Sequence, residues 1–303
     1  MREYVLADVE KIWSKLGSEN ALRTHILSTI ATGFANTRVE LDRFMGTTFY
    51  ACQQAQLMLD AIINKVLGFL ETEGMISTAG GLHATKLGAL VSRLYIDPLS
   101  ASMMLHGLDD MHKAQVTPLT LLDLICKTPD IRRIYLRSDD YDWIGEIVAH
   151  YSDEFVHIPR ESDREYERFL SEVKTALLIR EWVEESHEDD ITKRFGVGPG
   201  DIRALADTAQ WLMHSLAELS AFKRTEYTHD SRELGMRIEY GARAELLDLI
   251  KLRGIGRVRA RNLYNAGYHD TEALRHADFD RVATIVGTKT AKKALAQLGI
   301  HVD

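Results

Sequence analysis

The sequence predicts a mainly α-helical protein made of several small domains. Alanine, leucine, glutamate and arginine are abundant, whereas there are only five prolines and alternating, strand-like runs are scarce. A chain of 303 residues is long enough for two or three separate hydrophobic cores. Glycine-containing turns punctuate stretches whose apolar residues recur with helical spacing. We therefore expect three helical domains in a row.

The predicted organisation is a linker followed by these three domains. Composition and turn residues divide the chain into the segments 1–20, 21–98, 99–245 and 246–303. The linker carries apolar residues such as Ile12 and Trp13 without an obvious partner nearby. It is interpreted as a segment that continues from something larger.

Residues 21–98 are predicted to form a winged-helix domain. They begin with three helices, which are expected over 22–34, 38–45 and 54–73. Two short extended pieces around Gly80-Gly81 predict a β-hairpin, and a helix that starts at Thr85 closes the domain. Three helices followed by a hairpin are the layout of a winged helix. Pro98 then breaks the chain before the next domain.

Residues 99–245 are predicted to form a bundle of helices joined by short loops. A long helix is expected over 163–185, with Trp182 among its apolar positions. The acidic residues 184–190 are interpreted as a solvated connection. A further helix is expected over 201–219.

This helix over 201–219 has an apolar side and a polar side. At about 100° per residue, one stripe contains Ile202, Leu205, Ala206, Ala209, Leu212, Met213, Leu216 and Leu219. Trp211 lies about 180° from the start of this stripe, and Arg203 and His214 fall on the same polar side. Two interpretations remain open. Either another layer of protein covers the indole, or the indole stacks on a nucleic-acid base while Arg203 binds phosphate or base.

The segment 246–303 contains a glycine turn that opens an arginine-rich helix. Gly254 and Gly256 allow a ligand to approach the backbone closely, and the amides that begin the helix attract anions. Three candidate phosphate ligands follow: Arg257, Arg259 and Arg261. With the small Ala260, this is the pattern of a helix-hairpin-helix element that binds DNA. The alternative is an ordinary glycine-capped turn between packed helices.

The last helix of the chain looks like a degenerate repeat of this hairpin. Lys289 and Lys292 either add phosphate contacts or only keep an exposed helix soluble.

The whole chain has a net charge of −8, but residues 246–303 hold ten Lys and Arg against six Asp and Glu, a net charge of +4. Binding to nucleic acid depends on the local patch that meets the phosphates. The sequence therefore predicts a contact confined to particular surfaces.

Other chemistry finds little support in the sequence. Cys52 and Cys126 lie far apart, which suits a reducing cytoplasm and argues against a disulfide framework or a zinc site. The twelve histidines form no H-x-x-x-H pair, and no apolar run approaches the length of a membrane span. Asp139 and Asp140 are interpreted as solvated, since no base or metal partner is visible. We expect no catalytic residue, metal or cofactor in this chain.

Four motifs in order carry a family resemblance. They are SKLGSENALRTH at 14–25, ATKLGALVSRLYIDP at 84–98, GPGDIR running to the Trp-Leu pair within 198–212, and the arginine cluster at 257–261. Together they resemble the C-terminal half of the archaeal superfamily-2 DNA helicases of the Hjm type, relatives of the polymerase-theta helicase region. The resemblance spans essentially the whole chain.

This resemblance implies a winged helix, a multi-helix ratchet domain and a small helix-hairpin-helix domain. It implies that one ratchet helix lies along the unwound strand and contacts bases through a tryptophan and an arginine. Trp211 matches the tryptophan and Arg203 the arginine, although some members have the arginine where this chain has Ala204. The intact protein is then expected to be an ATP-dependent helicase that translocates 3′ to 5′ on DNA and remodels stalled forks.

The family's motor is a pair of RecA-like domains that bind ATP and Mg²⁺. The present sequence contains no G-x-x-x-x-G-K-[ST] loop and no Asp-Glu-x-His box. We therefore expect this chain alone neither to hydrolyse ATP nor to unwind DNA. Its expected partners are single-stranded and forked DNA, the missing motor domains, and replication or single-strand-binding proteins. A monomer without membrane contact is expected.

Two other functions remain open. A stand-alone winged-helix regulator of duplex DNA needs base-reading cations on the helix over 54–73, which offers only Lys65. The chain is also compatible with the equivalent region of an RNA helicase. Parallel binding to single-stranded DNA and RNA of one sequence distinguishes these functions.

Overall fold

The structure is a computed structural model that describes residues 14, 19–53 and 56–300. Most of the predicted linker, 1–20, therefore lies outside the described residues. Within them the chain forms seventeen α-helices and one two-stranded sheet, so the prediction of a mainly α-helical fold is confirmed. The chain divides into two compact units, residues 1–103 and 104–303.

The first unit contains the helices and the hairpin that the sequence predicts. Its helices α1 to α5 are Glu19–Ala31, Arg38–Gly46, Phe49–Gln53, Gln56–Thr72 and Lys86–Leu94. Strands β1 (Ile76–Ser77) and β2 (His83–Ala84) pair antiparallel on either side of the glycine turn. The Thr85 hydroxyl caps α5 by accepting a hydrogen bond from the Gly88 amide at 3.1 Å. The short helix α3 is an element that the sequence analysis missed.

The second unit begins with a bundle of helices. Helix α6 (Pro98–Asp110) crosses the boundary between the units, and α7 to α12 are Pro118–Cys126, Asp140–His150, Tyr166–Val183, Glu188–Phe195, Pro199–Lys223 and Thr228–Tyr240. Helix α9 is central, because α7, α8, α10, α11 and α12 all pack against it. The predicted helices over 163–185 and 201–219 correspond to α9 and α11, and α11 continues to Lys223.

Five short helices complete the second unit and enclose a core of their own. Helices α13 to α17 are Leu247–Ile250, Arg257–Asn265, Thr271–Arg275, Phe279–Val286 and Thr288–Gln297. Their core includes Leu249, Leu263, Val282 and Leu295. None of the helices in the described part of the chain is long and apolar enough to cross a lipid bilayer.

The prediction that Asp140 is solvated is wrong. Asp140 and Lys174 are both fully buried, and their charged groups lie 2.6 Å apart. Burial alone acts to raise the pKa of Asp140, but hydrogen bonds from Lys174, from Arg137 and from the Trp143 indole outweigh it and hold the pKa well below its usual value. The sequence hides this pair because Lys174 lies 34 positions later, among the apolar residues of α9.

Candidate nucleic-acid interface

Helix α11 separates buried from exposed residues as its spacing predicts. At its start, the Asp201 carboxylate accepts a hydrogen bond from the Gly198 amide at 3.0 Å, and Pro199 occupies the first helical position, where proline is tolerated. All eight residues of the predicted apolar stripe are buried. They hold α11 against α7, α9 and α12. The opposite side of the helix therefore faces away from this core.

Trp211, Arg203 and His214 lie on this opposite side. Trp211 is partly exposed, so its indole is neither sealed in the core nor fully open, while Arg203 and His214 are exposed. The Arg203 Nε lies 3.5 Å from Asp207 Oδ1. Exposed ion pairs of this kind contribute little to stability, so Arg203 can exchange its carboxylate for a phosphate at small cost. Contact of these three residues with DNA stays a prediction.

Phe222 extends the aromatic surface of α11 and was not among the predicted residues. Its side chain is 48% exposed. Eleven residues after Trp211 correspond to about 1100°, which leaves about 20° once full turns are removed. Phe222 therefore lies on the same side as Trp211. We predicted that the helix ends at residue 219, so Phe222 was missed. Extending the same helical period to Lys223 would have placed Phe222 on this side.

The glycine turn before α14 adopts a conformation that requires glycine. Gly254 has a φ of +92°, in the region that side chains disfavour. Gly256 directly precedes the first residue of α14. Ile255, Ala260 and Leu263 are buried in the core of the C-terminal helices. The small residue at position 260 therefore serves packing.

All three arginines of α14 have contacts that the sequence does not indicate, and those of Arg259 and Arg257 are with a carbonyl oxygen and an aromatic ring. Arg259 is exposed, and its Nη1 donates to the Gly254 carbonyl oxygen at 3.0 Å, so it stays at the turn. The Arg257 guanidinium carbon lies 4.4 Å from the ring centroid of Trp182. The Trp182 Nε1 in turn donates to the Ile238 carbonyl oxygen at 2.8 Å. Arg257 therefore links α14 to α9 rather than projecting freely into solvent.

Arg261 is held by two carboxylates. It donates to both oxygens of Glu185 at 2.9 and 2.8 Å, and to Glu245 at 2.8 Å. These hydrogen bonds raise the pKa of Arg261, Glu185 being the stronger partner. Burial acts to raise the pKa of Glu185 and Glu245, but the bonds from Arg261 outweigh it and lower both values. Arg261, a candidate phosphate ligand in the sequence, is therefore already occupied by carboxylates, and we expect it to have a structural role.

The acidic segment 184–190 explains why Arg261 is paired with carboxylates. Glu184 accepts a hydrogen bond from Arg237 at 2.6 Å and pairs with Arg243 at 3.0 Å. Residues 188–190 form the first turn of α10. The prediction that 184–190 is a solvated connection is therefore wrong for Glu184 and Glu185, whereas His187, Asp189 and Asp190 are exposed. Of its first two carboxylates, Glu184 pairs within the bundle, and Glu185 joins the bundle to the C-terminal helices through Arg261.

Lys289 and Lys292 are exposed on α17, the last helix. Gly287, which precedes this helix, has a φ of +88°, so it resembles Gly254 in its backbone conformation. A phosphate contact by these lysines stays a prediction. Among the described residues, no group of three or more His, Cys, Asp or Glu side chains is arranged to hold a metal ion.

Comparison with known proteins gives three family matches along the chain. Residues 2–77 match a helix-turn-helix domain, residues 119–241 match domain 4 of an archaeal helicase, and residues 246–299 match a SAM-like helix-hairpin-helix tandem. The chain is also 48% identical over 311 aligned positions to the ATP-dependent DNA helicase Hel308 of Methanocella arvoryzae, with all of this chain covered. The chain belongs to the archaeal Hel308 helicase family.

Further Hel308 helicases agree with this assignment. The Pyrococcus horikoshii and Caldivirga maquilingensis proteins are each 34% identical to this chain, over 100% and 97% of its length. The chain spans only 42%, 43% and 41% of the Methanocella, Pyrococcus and Caldivirga proteins. It corresponds to the C-terminal part of a Hel308 helicase. The archaeal helicase match contains α9 and α11, which carry Trp182 and Trp211.

Proposed function

We propose that this chain is the DNA-gripping region of an ATP-dependent helicase that moves 3′ to 5′ along single-stranded DNA and remodels stalled replication forks. The motor is a pair of RecA-like domains in the same protein, which bind ATP and Mg²⁺. The present chain supplies no cofactor site and works as part of a monomer in the cytoplasm.

One observation supports this proposal most strongly. Within the segment that matches an archaeal helicase domain, the partly exposed indole of Trp211 lies on the side of α11 opposite its buried stripe. A base that stacks on this ring needs no particular sequence, because every base has a π-face. Arg203 and His214 on the same side offer groups for phosphate or base. Such a surface suits a protein that moves along a strand.

The C-terminal helices supply a second, electrostatic contact. Arg259, Lys289 and Lys292 are exposed cations, and the amides that follow Gly256 begin α14. We propose that they hold the phosphates of the departing strand. Arg257 and Arg261 instead keep these helices on the bundle. The role of the winged helix is then to connect the motor to the bundle.

The test is binding of fluorescently labelled oligonucleotides to the purified chain and to Trp211→Ala. We expect the substitution to weaken binding to single-stranded DNA by roughly 1–3 kcal/mol, because one stacked base is lost. Trp211→Phe should restore most of this binding. Tyr240→Ala, which removes a 40% exposed aromatic ring from α12, is the matched control and should bind like the unmodified chain.

Two results of this experiment contradict the proposal. If Trp211→Ala binds DNA normally but unfolds at a lower temperature, the indole serves packing alone. If RNA of the same sequence binds more tightly than DNA, the region belongs to an RNA-directed enzyme.

A regulator that reads duplex DNA is disfavoured further, because Lys65, the one cation expected to read bases, lies 2.7 Å from Glu19.

A further inference from the structure

A cavity of about 450 Å³ lies against the first half of α11. We call it the Tyr135 pocket. Its lining includes Arg132, Arg133, Tyr135, Arg137, Phe195 and Ala204. Three arginines but only one carboxylate, that of Asp201, line it, and much of the remaining lining is apolar. Arg133 is paired with Glu172 and Arg137 with Asp140, so Arg132 is the charge that favours an anion here. The apolar surface favours a ligand that also carries a flat, weakly polar group.

One wall of the Tyr135 pocket is a segment without regular secondary structure, 131–137, that is fastened to α9. The amide and the carbonyl of Ile134 both form hydrogen bonds with side chains of α9, at 3.0 and 2.7 Å. The Lys174 Nζ donates to the Tyr135 carbonyl oxygen at 2.9 Å and is itself held by Asp140. The buried ion pair thus fixes this wall. A fixed wall reduces the entropy lost when a ligand binds.

From Ile134 to Arg137 the side chains of this segment alternate between buried and exposed. Ile134 and Leu136 are buried, whereas the ring of Tyr135 is 86% exposed and Arg137 is also exposed. A large aromatic ring so exposed gains little from packing, and it is available to stack on a ligand.

The two exposed arginines of the Tyr135 pocket differ in freedom. Arg137 is fixed, because its Nη2 donates to the Arg194 carbonyl oxygen at 2.7 Å and its guanidinium packs on Gly196. Arg132 is exposed, and in the part of the chain that the structure describes no carboxylate lies within ion-pair distance of it. Arg132 is thus the cation most available to a phosphate.

Part of the lining that α11 gives to the Tyr135 pocket lies on the same side of the helix as Trp211. Ala204 and Thr208 belong to its lining. Trp211 follows Ala204 by seven residues, which places the two about 20° apart around the helix and ~10 Å apart along it. A strand that stacks on the indole and continues along α11 toward its N-terminus therefore reaches this pocket.

We propose that the Tyr135 pocket binds one nucleotide of single-stranded DNA, with its base against Tyr135 and its phosphate on Arg132. Aromatic rings that stack on bases beside cations that follow the backbone are the combination used by surfaces that bind single strands. The proposal rests on the proposed function, because it extends the strand that Trp211 contacts.

The experiment measures the affinity of the full chain for an oligo-dT strand, over a range of salt concentrations. Tyr135→Ala should bind roughly 5- to 100-fold more weakly, because one stacked base is lost. Tyr135→Phe should retain the affinity, since the ring remains. Arg132→Ala should reduce the slope of log affinity against log salt by about 0.7, the value for one phosphate contact. Arg164→Ala, which removes an exposed arginine elsewhere in the same unit, is the control.

Trp211→Ala in the same assay separates the two proposals. If Trp211→Ala weakens binding while Tyr135→Ala and Arg132→Ala behave like Arg164→Ala, the Tyr135 pocket does not bind the strand and the proposed function stands. If Trp211→Ala, Tyr135→Ala and Arg132→Ala all bind like the unmodified chain, the proposed function fails together with the pocket. Weaker binding by Trp211→Ala, Tyr135→Ala and Arg132→Ala, with Tyr135→Phe and Arg164→Ala unaffected, supports both.

Discussion

Trp182 and Trp211 lie on two helices of the second unit and have different environments. Trp182 is only 6% exposed and donates a hydrogen bond to the backbone of α12, whereas Trp211 is partly exposed. Helical spacing predicts both results, because Trp182 falls among the apolar positions of α9 and Trp211 falls opposite the apolar stripe of α11. Periodicity within one helix is information that a sequence carries directly.

The arginines of α14 show that helical spacing does not predict which partner a side chain meets in another helix. Arg257, Arg259 and Arg261 look equivalent in the sequence, and their partners decide their roles. Glu185 is 76 positions away from Arg261, in a segment whose charge suggested only solvation. Pairings over such distances depend on how the helices pack, which no local pattern specifies.

Replacing two of these arginines should separate their roles. Arg261→Ala should lower the free energy of unfolding by roughly 1–3 kcal/mol, because it removes charge-assisted hydrogen bonds to partly buried carboxylates. Arg259→Ala should leave stability nearly unchanged and reduce the salt dependence of single-strand binding by a slope of about 0.7. Urea unfolding and a salt titration check both. The reverse result, a stable Arg261→Ala with a reduced slope, would assign Arg261 to DNA.

At the scale of elements, the contact between α9, α12 and α14 depends on a glycine. Gly241 ends α12 with a φ of +61°, and a Cβ there would lie 2.5 Å from the Trp182 ring. The same Cβ would lie 3.0 Å from Arg257 Nη1. The absence of a side chain at Gly241 thus allows the stacked pair of Trp182 and Arg257 to form.

Gly241→Ala should therefore destabilise the second unit more than a glycine replacement that causes strain alone. Gly267→Ala is the matched control, since Gly267 also has a positive φ, of +97°, but has no atom within 4 Å of an added Cβ. Each replacement should cost roughly 1–3 kcal/mol from backbone strain, and Gly241→Ala should cost more because of the clash. If the two replacements lower the thermal stability equally, the Trp182 ring moves away from the added Cβ at little cost.

The carboxylates around Arg261 should make this contact sensitive to acid. The pKa values of Glu185 and Glu245 are lowered in the folded chain from an ordinary value of 4.5. The stability they provide is therefore complete above that pH and is lost as the pH falls through the lowered values. The free energy of unfolding should drop as the pH falls below about 4.5, and the drop should be smaller in Arg261→Ala. An identical drop in both proteins would rule out this network as its source.

The ends of the helices were harder to predict from the sequence than the presence of the longer helices. Helix α11 was expected from 201 to 219 and extends over Pro199–Lys223, so Phe222 was missed. Short elements such as α3 lack enough residues to show a helical period. The Tyr135 pocket combines the irregular segment 131–137 with α10 and α11. A pocket built from separate elements leaves no pattern in any one of them.

At the scale of the whole molecule, the order of the parts was well predicted and their coupling was not. The matches to a helix-turn-helix domain, an archaeal helicase domain and a helix-hairpin-helix tandem follow the expected order. The bundle and the C-terminal helices nevertheless belong to one compact unit. The ion pair of Glu185 with Arg261 and the contact of Arg257 with Trp182 connect the two parts, and we expect both parts to respond together when DNA binds.

Tryptophan fluorescence tests most directly whether a DNA strand passes over α11. The chain has four tryptophans, so single-stranded, forked and duplex DNA should be compared for quenching with the unmodified chain and with Trp211→Phe. We predict strong quenching by single-stranded and forked DNA, little by duplex, and loss of most of this quenching in Trp211→Phe. Quenching of the same size in Trp211→Phe, or equal quenching by duplex, would contradict the proposal that Trp211 stacks on the bases of a single strand.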